Sequence, residues 1–351
     1  MHPGFKLNDR NFASSKELKK YACQLAASDN NEDASIGLFL QEWLNDEDFI
    51  QVSTSGSTGV PKIISLQKKH VLNSAKATVK YFNLFENTQA LLCLSSEYIA
   101  GKMMLVRAME AGWNLHTVHP GKNPLKDVQA RYDFTAMVPY QIFHSLGDLH
   151  KVKKIIIGGG SIPANLERQL QQINTLAFGT YGMTETISHI AMRQINGGER
   201  SIHFSALPNV TFSQNFNGCL KIHAPMIAEE IVETNDVVAL LSSTSFSFLG
   251  RIDNVINSGG IKIHPEEVET KLSLHIKIPF FIASEKDEAL GEKVILVVES
   301  EMNLKLKNFS TAFEGLSSYE KPKELYILPQ FIYTETDKIK RSAIMKLIEN
   351  S

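Results

Sequence analysis

Apolar positions in the first half of this chain follow two alternating rhythms. Residues 16–27 and 36–43 repeat at helical spacing, with a polar break at 29–33 between them. Residues 49–52 read as the end of a short strand and 66–79 as a helix. Strands are expected at 90–94, 114–118, 134–138, 155–157 and 174–178. Between them fall a buried helix at 103–111, closed by Gly112, and a helix at 164–173. Strands separated by helices predict an α/β fold with a doubly wound, mostly parallel sheet, in which ligands sit at the carboxyl ends of the strands. From about residue 202 the rhythm changes to short alternating strands at 210–212, 219–222, 237–241 and 246–248. These predict an antiparallel sheet or small barrel flanking the first sheet. Residues 254–351 read as a smaller α+β unit, with helices at 265–274, 308–315 and 341–349 and strands at 278–283, 293–299 and 324–328. The expected division is a large domain over 1–252, β-rich from 202 to 250, and a small domain over 253–351.

Composition narrows the function classes. A net charge of −2 leaves no global footprint for nucleic acid or an anionic membrane, so any anion must be bound by local groups. Cys23, Cys93 and Cys219 are odd in number and lack metal-ligand spacing, which fits a reduced, cytoplasmic setting. No apolar run is long enough to span a membrane, and the N-terminus carries no signal core. The scattered His189, His203 and His223 read as structural or surface groups.

Four stretches can carry chemistry. The first is Ser53 followed by Thr54, Ser55, Gly56, Ser57, Thr58, Gly59, Val60, Pro61 and Lys62. Between a strand and a helix, such hydroxyls and glycines suit an oligophosphate, with Lys62 adding a point charge. The same composition also suits a flexible linker. A Walker A loop is a poor match, because Val60 and Pro61 separate Gly59 from Lys62. The second stretch, Thr180 to Thr186, reads either as a turn opening a capped helix or as a site. As a site, Tyr181 would stack on a purine, Thr184 would hold an acyl or phosphoryl oxygen, and Glu185 would bind Mg²⁺. The third runs from Gly250 to Glu269; by composition it is a Gly-rich hairpin before a helix begun by Pro265 with acids in its first turn. The fourth, Thr334 to Arg341, carries Lys338, Lys340 and Arg341, which on composition alone suit a solvated helix face.

Taken in this order, the stretches resemble the signature motifs of the adenylate-forming superfamily, which includes acyl- and aryl-CoA ligases, luciferases and peptide-synthetase adenylation domains. The first resembles its phosphate loop, and residues 181–185, including Gly182 and Met183, match its Tyr-Gly-x-Thr-Glu motif. Gly158, Gly159, Gly160 and Ser161 are similar to its adenine-binding turn; they also suit a tight strand-to-helix turn before Pro163. Residues 250–269 resemble the family's linker between a large domain and a mobile small one. That likeness implies Arg251 on ribose or phosphate, Asp253 as hinge, Gly259 and Gly260 near the pantetheine path, and Lys262 among the cofactor-binding residues. Asp236 stands where the family holds the ribose hydroxyls, with Asn235 replacing a usual Gly. Lys338 matches the lysine that drives adenylation, with Asp337 in place of the usual Gly. An acid there would raise the lysine pKa or pull it aside, and so slow that step.

The resemblance implies a ligase using ATP, Mg²⁺ and coenzyme A on a small carboxylic acid. The spelling of residues 98–101, 138–141 and 254–260, together with the short length, is most similar to the o-succinylbenzoate–CoA ligase branch of menaquinone synthesis. A dicarboxylate needs a cation for its spectator carboxylate. Tyr98, Lys102 and Arg107 are the pocket candidates, with Arg107 preferred; both cations as surface groups is the competing reading. The rival functions are a different acyl- or aryl-CoA ligase and a nucleotide-binding homologue that no longer catalyses. About a hundred N-terminal residues usual in the family are absent, and a homodimer partner is one candidate to compensate.

Overall fold

In the computed structural model, which describes residues 1–53, 63–333 and 339–349, one 13-stranded sheet runs through the larger part of the molecule. Strands Lys6–Leu7, Asn114–Thr117, Gln89–Leu92, Tyr132–Met137, Val152–Ile157 and Leu176–Gly182 lie side by side, each parallel to its neighbour. The chain leaves Gln89–Leu92 toward Asn114–Thr117 and returns to build the sheet on the other side of Gln89–Leu92. That reversal is the switch point of a doubly wound sheet, where the strand ends open a crevice. Alternate side chains feed opposite faces, as the strand period requires. Ala90 and Leu92 pack with helices Lys68–Phe82 and Ile99–Ala111, whereas Leu91 and Cys93 pack with helices Pro139–Ser145 and Ala164–Leu170.

The antiparallel strands do not form the separate flanking sheet or barrel expected from the sequence. Leu176–Gly182 pairs parallel with Val152–Ile157 on one side and antiparallel with His189–Gln194 on the other. Phe204–Ala206, Ser245–Arg251, Val232–Ser242, Cys219–His223 and Thr211–Gln214 then continue the same sheet. The polar-looking His189–Gln194 is the missing link; it is buried where it joins the two halves.

Ile63–Gln67 is a strand paired antiparallel with Phe49–Ser53, and the helix begins only at Lys68. Residues 54–62 therefore connect two strands of a hairpin rather than a strand and a helix. Ile63, Ile64 and Leu66 satisfy a strand as well as a helix entry, and cross-strand pairing with Ile50 and Val52 decides between them. The expected helix at 308–315 is two short 3₁₀ turns, Leu306–Phe309 and Thr311–Phe313, because Asn308, Ser310 and Thr311 compete with a continuous helix. Other ends match closely: Gly112 caps Ile99–Ala111 at φ 73°, a left-handed position that glycine adopts readily.

A 5-stranded sheet follows, built from Ile256–Ser258, Ile261–Ile263, Phe280–Asp287, Gly291–Glu299 and Glu324–Leu328. Ile282, Val294 and Leu296 face helix Pro265–Leu272 through Val268 and Leu272. Phe281, Ile295 and Val297 face Phe331 and Ile344 of the final helix, Arg341–Glu349. Only the turn Ile252–Asn254 lies between the last strand of the large sheet and the first strand of this one.

Candidate functional site

Since the central strands are parallel, their carboxyl ends share one edge of the sheet. The segment around Tyr98, the glycines 158–160 and the turn 183–186 all follow from that edge. Thr54, Ser55, Gly56, Ser57, Thr58, Gly59, Lys62 and Lys338 lie outside the described residues. What is described is the base of the hairpin that carries 54–62. Gln51 donates its N–H to Glu42 at 2.6 Å, and its carbonyl accepts from Lys102 Nζ at 2.9 Å. Lys102 also meets Glu42 at 3.3 Å and lies over the Phe39 ring. Its charge thus braces the hairpin against two helices. Lys102 and Arg107 are both buried, so the reading of both as surface groups fails.

The glycine turn is shaped by close approach. A Cβ on Gly158 would come 2.6 Å from Thr180 Oγ1, whose hydroxyl donates to the Ile157 carbonyl at 3.0 Å. Gly159 holds φ 80°, and Ser161 is exposed. Next door, Thr184 is half-buried and Glu185 exposed on the 3₁₀ turn Thr184–Thr186. Buried Thr186 fixes that turn, accepting from the Met183 N–H at 3.0 Å. A Cβ at Gly182 would collide with the Ser188 carbonyl.

Tyr181, Asp236, Arg251 and Asp253 converge, although they span the sequence from 181 to 253. The Tyr181 hydroxyl donates to Asp236 at 2.6 Å, and its ring meets Phe246 edge-on at 5.0 Å. Burial, and then the Asp236 charge, hold the phenol well above its usual range. Asp236 faces Arg251 across the strand pair, with a contact of 3.3 Å. Arg251 also reaches Asp253 at 3.4 Å, and Asn235 donates to Asp253 at 3.2 Å. The departure from Gly at 235 thus supplies a side chain that holds the expected hinge residue. Gly259, Gly260 and Lys262 are exposed at the end of the hairpin Ile256–Ser258/Ile261–Ile263.

Arg107 is the unusual group. It is 2% exposed, and no carboxylate is paired with it among the described residues. One Nη donates to Ser188 at 3.3 Å, while Nε is buried without a partner. Burial pushes its pKa down to about 9. Ser188 also bonds Ser74 at 2.9 Å, and neighbouring His189 bonds Thr78 at 3.1 Å. Burial, then the Arg107 charge, keep His189 neutral by lowering its pKa well below the ordinary value. Ser74, Thr78 and Ser188 were not foreseen from the sequence; the near-continuous apolar composition of Ile99–Ala111 was the available sign that Arg107 would be buried.

The model of the family described as AMP-binding enzyme matches residues 12–210. A crystal structure described as an acyl-CoA synthetase (AMP-forming)/AMP-acid ligase II-like protein from Dyadobacter fermentans DSM 18053 is 36% identical; the match covers 94% of this chain and 98% of that one, with a TM-score of 0.63. The chain belongs to the AMP-binding enzyme family and is an AMP-forming acyl-CoA ligase by membership. The 2-succinylbenzoate–CoA ligase of Escherichia coli (strain K12) is 26% identical over 314 residues, covering 84% of this chain and 68% of that protein. The o-succinylbenzoate coenzyme A synthetase of Bacillus subtilis, solved in complex with ATP and magnesium ion, shares the fold at a TM-score of 0.73 and 19% identity, over 84% of this chain and 69% of that one. No helix among the described residues is long and apolar enough to cross a membrane.

Proposed function

We propose that the protein adenylates o-succinylbenzoate and passes the acyl group to coenzyme A, the thioester-forming step of menaquinone synthesis. In this reading the carboxylate attacks the α-phosphorus of ATP, and the bond to pyrophosphate breaks. The thiolate of coenzyme A then attacks the acyl carbonyl, and AMP leaves. Residues 54–62 and the turn Gly158–Ser161 cradle the nucleotide, Tyr181 and Asp236 line its base and ribose, and Lys338 stabilises charge on the reacting phosphate. Glu185 fits Mg²⁺ as an exposed carboxylate on the turn that follows the strand Leu176–Gly182, and it would hold the ion there. One carboxylate suits this ion, and when bound it would neutralise charge on the phosphates. The single turn between the two sheets supports a small domain that turns about Asp253 between the half-reactions.

The observation that carries the substrate class is Arg107, a buried guanidinium with an unsatisfied Nε and no carboxylate partner among the described residues. A buried charge without a partner is costly, and the spectator carboxylate of a dicarboxylic acid would satisfy it. The test is pyrophosphate release from Mg-ATP with o-succinylbenzoate, benzoate or fatty acids, with and without coenzyme A. Release with o-succinylbenzoate, a thioester product and loss of both in Lys338→Ala is the expected result. Release only with a monocarboxylate removes the substrate assignment. ATP binding without release from any acid points to Asp337 and removes the catalytic reading.

A further inference from the structure

The junction between the two sheets holds a second set of unsatisfied buried groups. His264 Nδ1, Glu266 Oε2 and Arg341 Nη1 are all buried without a hydrogen-bond partner. Glu266 Oε1 accepts from Asn254 Nδ2 at 2.6 Å, beside the single turn that leads out of the large sheet. The same carboxylate abuts Gly250, where a side chain would run into it. The oxygen that accepts from Asn254, Oε1, also stands 3.8 Å from Arg341 Nη1, an ion pair too long for a hydrogen bond, while the unpaired Oε2 faces Gly250. The other Arg341 nitrogen is firmly held, donating to Glu269 at 2.7 Å, while Glu269 accepts from the Ile282 N–H of the small sheet at 2.8 Å.

Arg341 in turn begins the final helix, three residues after Lys338. The chain on both sides of 334–338 is tied down. Tyr333 bridges Ile339, and the Tyr333 hydroxyl donates to Glu299 at 2.8 Å. Buried polar groups are normally paired, so orphaned atoms on two neighbouring opposite charges mark an arrangement only half made.

We propose that Glu266 is a positioning residue whose carboxylate exchanges between Asn254 at the hinge and Arg341, three residues after Lys338 in the sequence, so that the swing of the small domain and the adenylation step assigned to its lysine are coupled. Bonded to Asn254, it ties the helix Pro265–Leu272 to the hinge turn and leaves Arg341 Nη1 unmatched. Released from Asn254, it completes a fork on Arg341, whose other arm Glu269 already holds. A shift of one side-chain rotamer separates the two states, which suits a bistable element. This inference rests on the assignment of adenylation to Lys338 in the proposed function.

The experiment measures the two half-reactions separately in the full chain, using the acid that supports pyrophosphate release. ATP–pyrophosphate exchange reports adenylation, and thioester formation from a chemically prepared acyl-adenylate reports the second step. Glu266→Gln and the conservative Arg341→Lys are expected to lower exchange by about fivefold or more, with the second step within about twofold. Asn254→Ala, which frees Glu266 for Arg341, is expected to shift the ratio of the two rates the opposite way. Equal losses in both half-reactions, or no change in either, overturn the proposal and leave Glu266 a packing group. Opposite shifts cannot arise from general destabilisation, and Asn254→Ala retains the test if a Glu266 variant fails to fold. Lys338→Ala runs alongside. If it keeps its exchange activity, the role of Lys338 falls and the coupling with it; if it loses exchange while the other variants behave like wild type, the coupling alone falls.

Discussion

Arg107 and Arg341 occupy opposite ends of the same problem. In the large unit, Arg107 is buried among serines, a neutral histidine and a methionine sulfur, and it has no carboxylate partner among the described residues. In the small unit, Arg341 stands between two carboxylates and over the Phe281 ring. A cation supplied with two anions belongs to the architecture, because removing it strands their charge. Under the proposed function, the anion that Arg107 lacks would come from the substrate.

The largest effect expected is on stability at the small unit. Arg341→Met leaves Glu266 and Glu269 without their cation, and should cost about 3 kcal/mol in chemical denaturation. Arg107→Met removes an unpaired buried charge instead, and should leave stability unchanged or raise it. Equal losses from both variants would erase the distinction.

Glu269 sharpens the same contrast through pH. Burial raises its pKa from 4.5 to about 7, against the pull of Arg341. The folded state therefore holds the proton more tightly than the unfolded chain. The stabilisation is complete below pH 4.5 and is lost as the pH rises through about 7. The loss is at most about 3 kcal/mol, and Glu269→Gln should flatten that part of the stability profile. An unchanged profile would mean that Glu269 keeps its charge throughout.

Arg107→Ala comes next, now read in substrate affinity. It should raise KM for o-succinylbenzoate about 10- to 100-fold while leaving KM for ATP nearly unchanged. Similar rises for both substrates would take Arg107 out of the acyl site. The smallest effect is Tyr181→Phe, which deletes the bond to Asp236 and should cost about 1 kcal/mol of stability. A much larger loss would make that bond a main brace of the site.

What could be read from the sequence followed from local signals. Gly112, Pro265 and the apolar strands set their element ends through backbone chemistry that neighbours in sequence determine. The hairpin Phe49–Ser53/Ile63–Gln67 depended on a partner across a loop, so its second strand was missed and its last two residues read as the start of the helix. His189–Gln194 hid because its polar ends mask a buried middle. The convergence of Tyr181 on Asp236 came from pairing across the sheet; composition alone gave no hint, and the family resemblance brought both residues forward. The charge of Arg107 was evident, but its isolation became visible only once Ser188 and His189 were seen around it.

The long sheet has a further consequence for the behaviour of the protein in solution. A sheet of this width has two open edges, and each is a template on which another chain can add a strand. Here one edge is the two-residue, fully polar Arg10–Asn11, and the other is Thr211–Gln214, short and mostly polar. Neither offers the long, flat, apolar border that seeds aggregation. The two ends of this long sheet are thereby poor templates for strand addition.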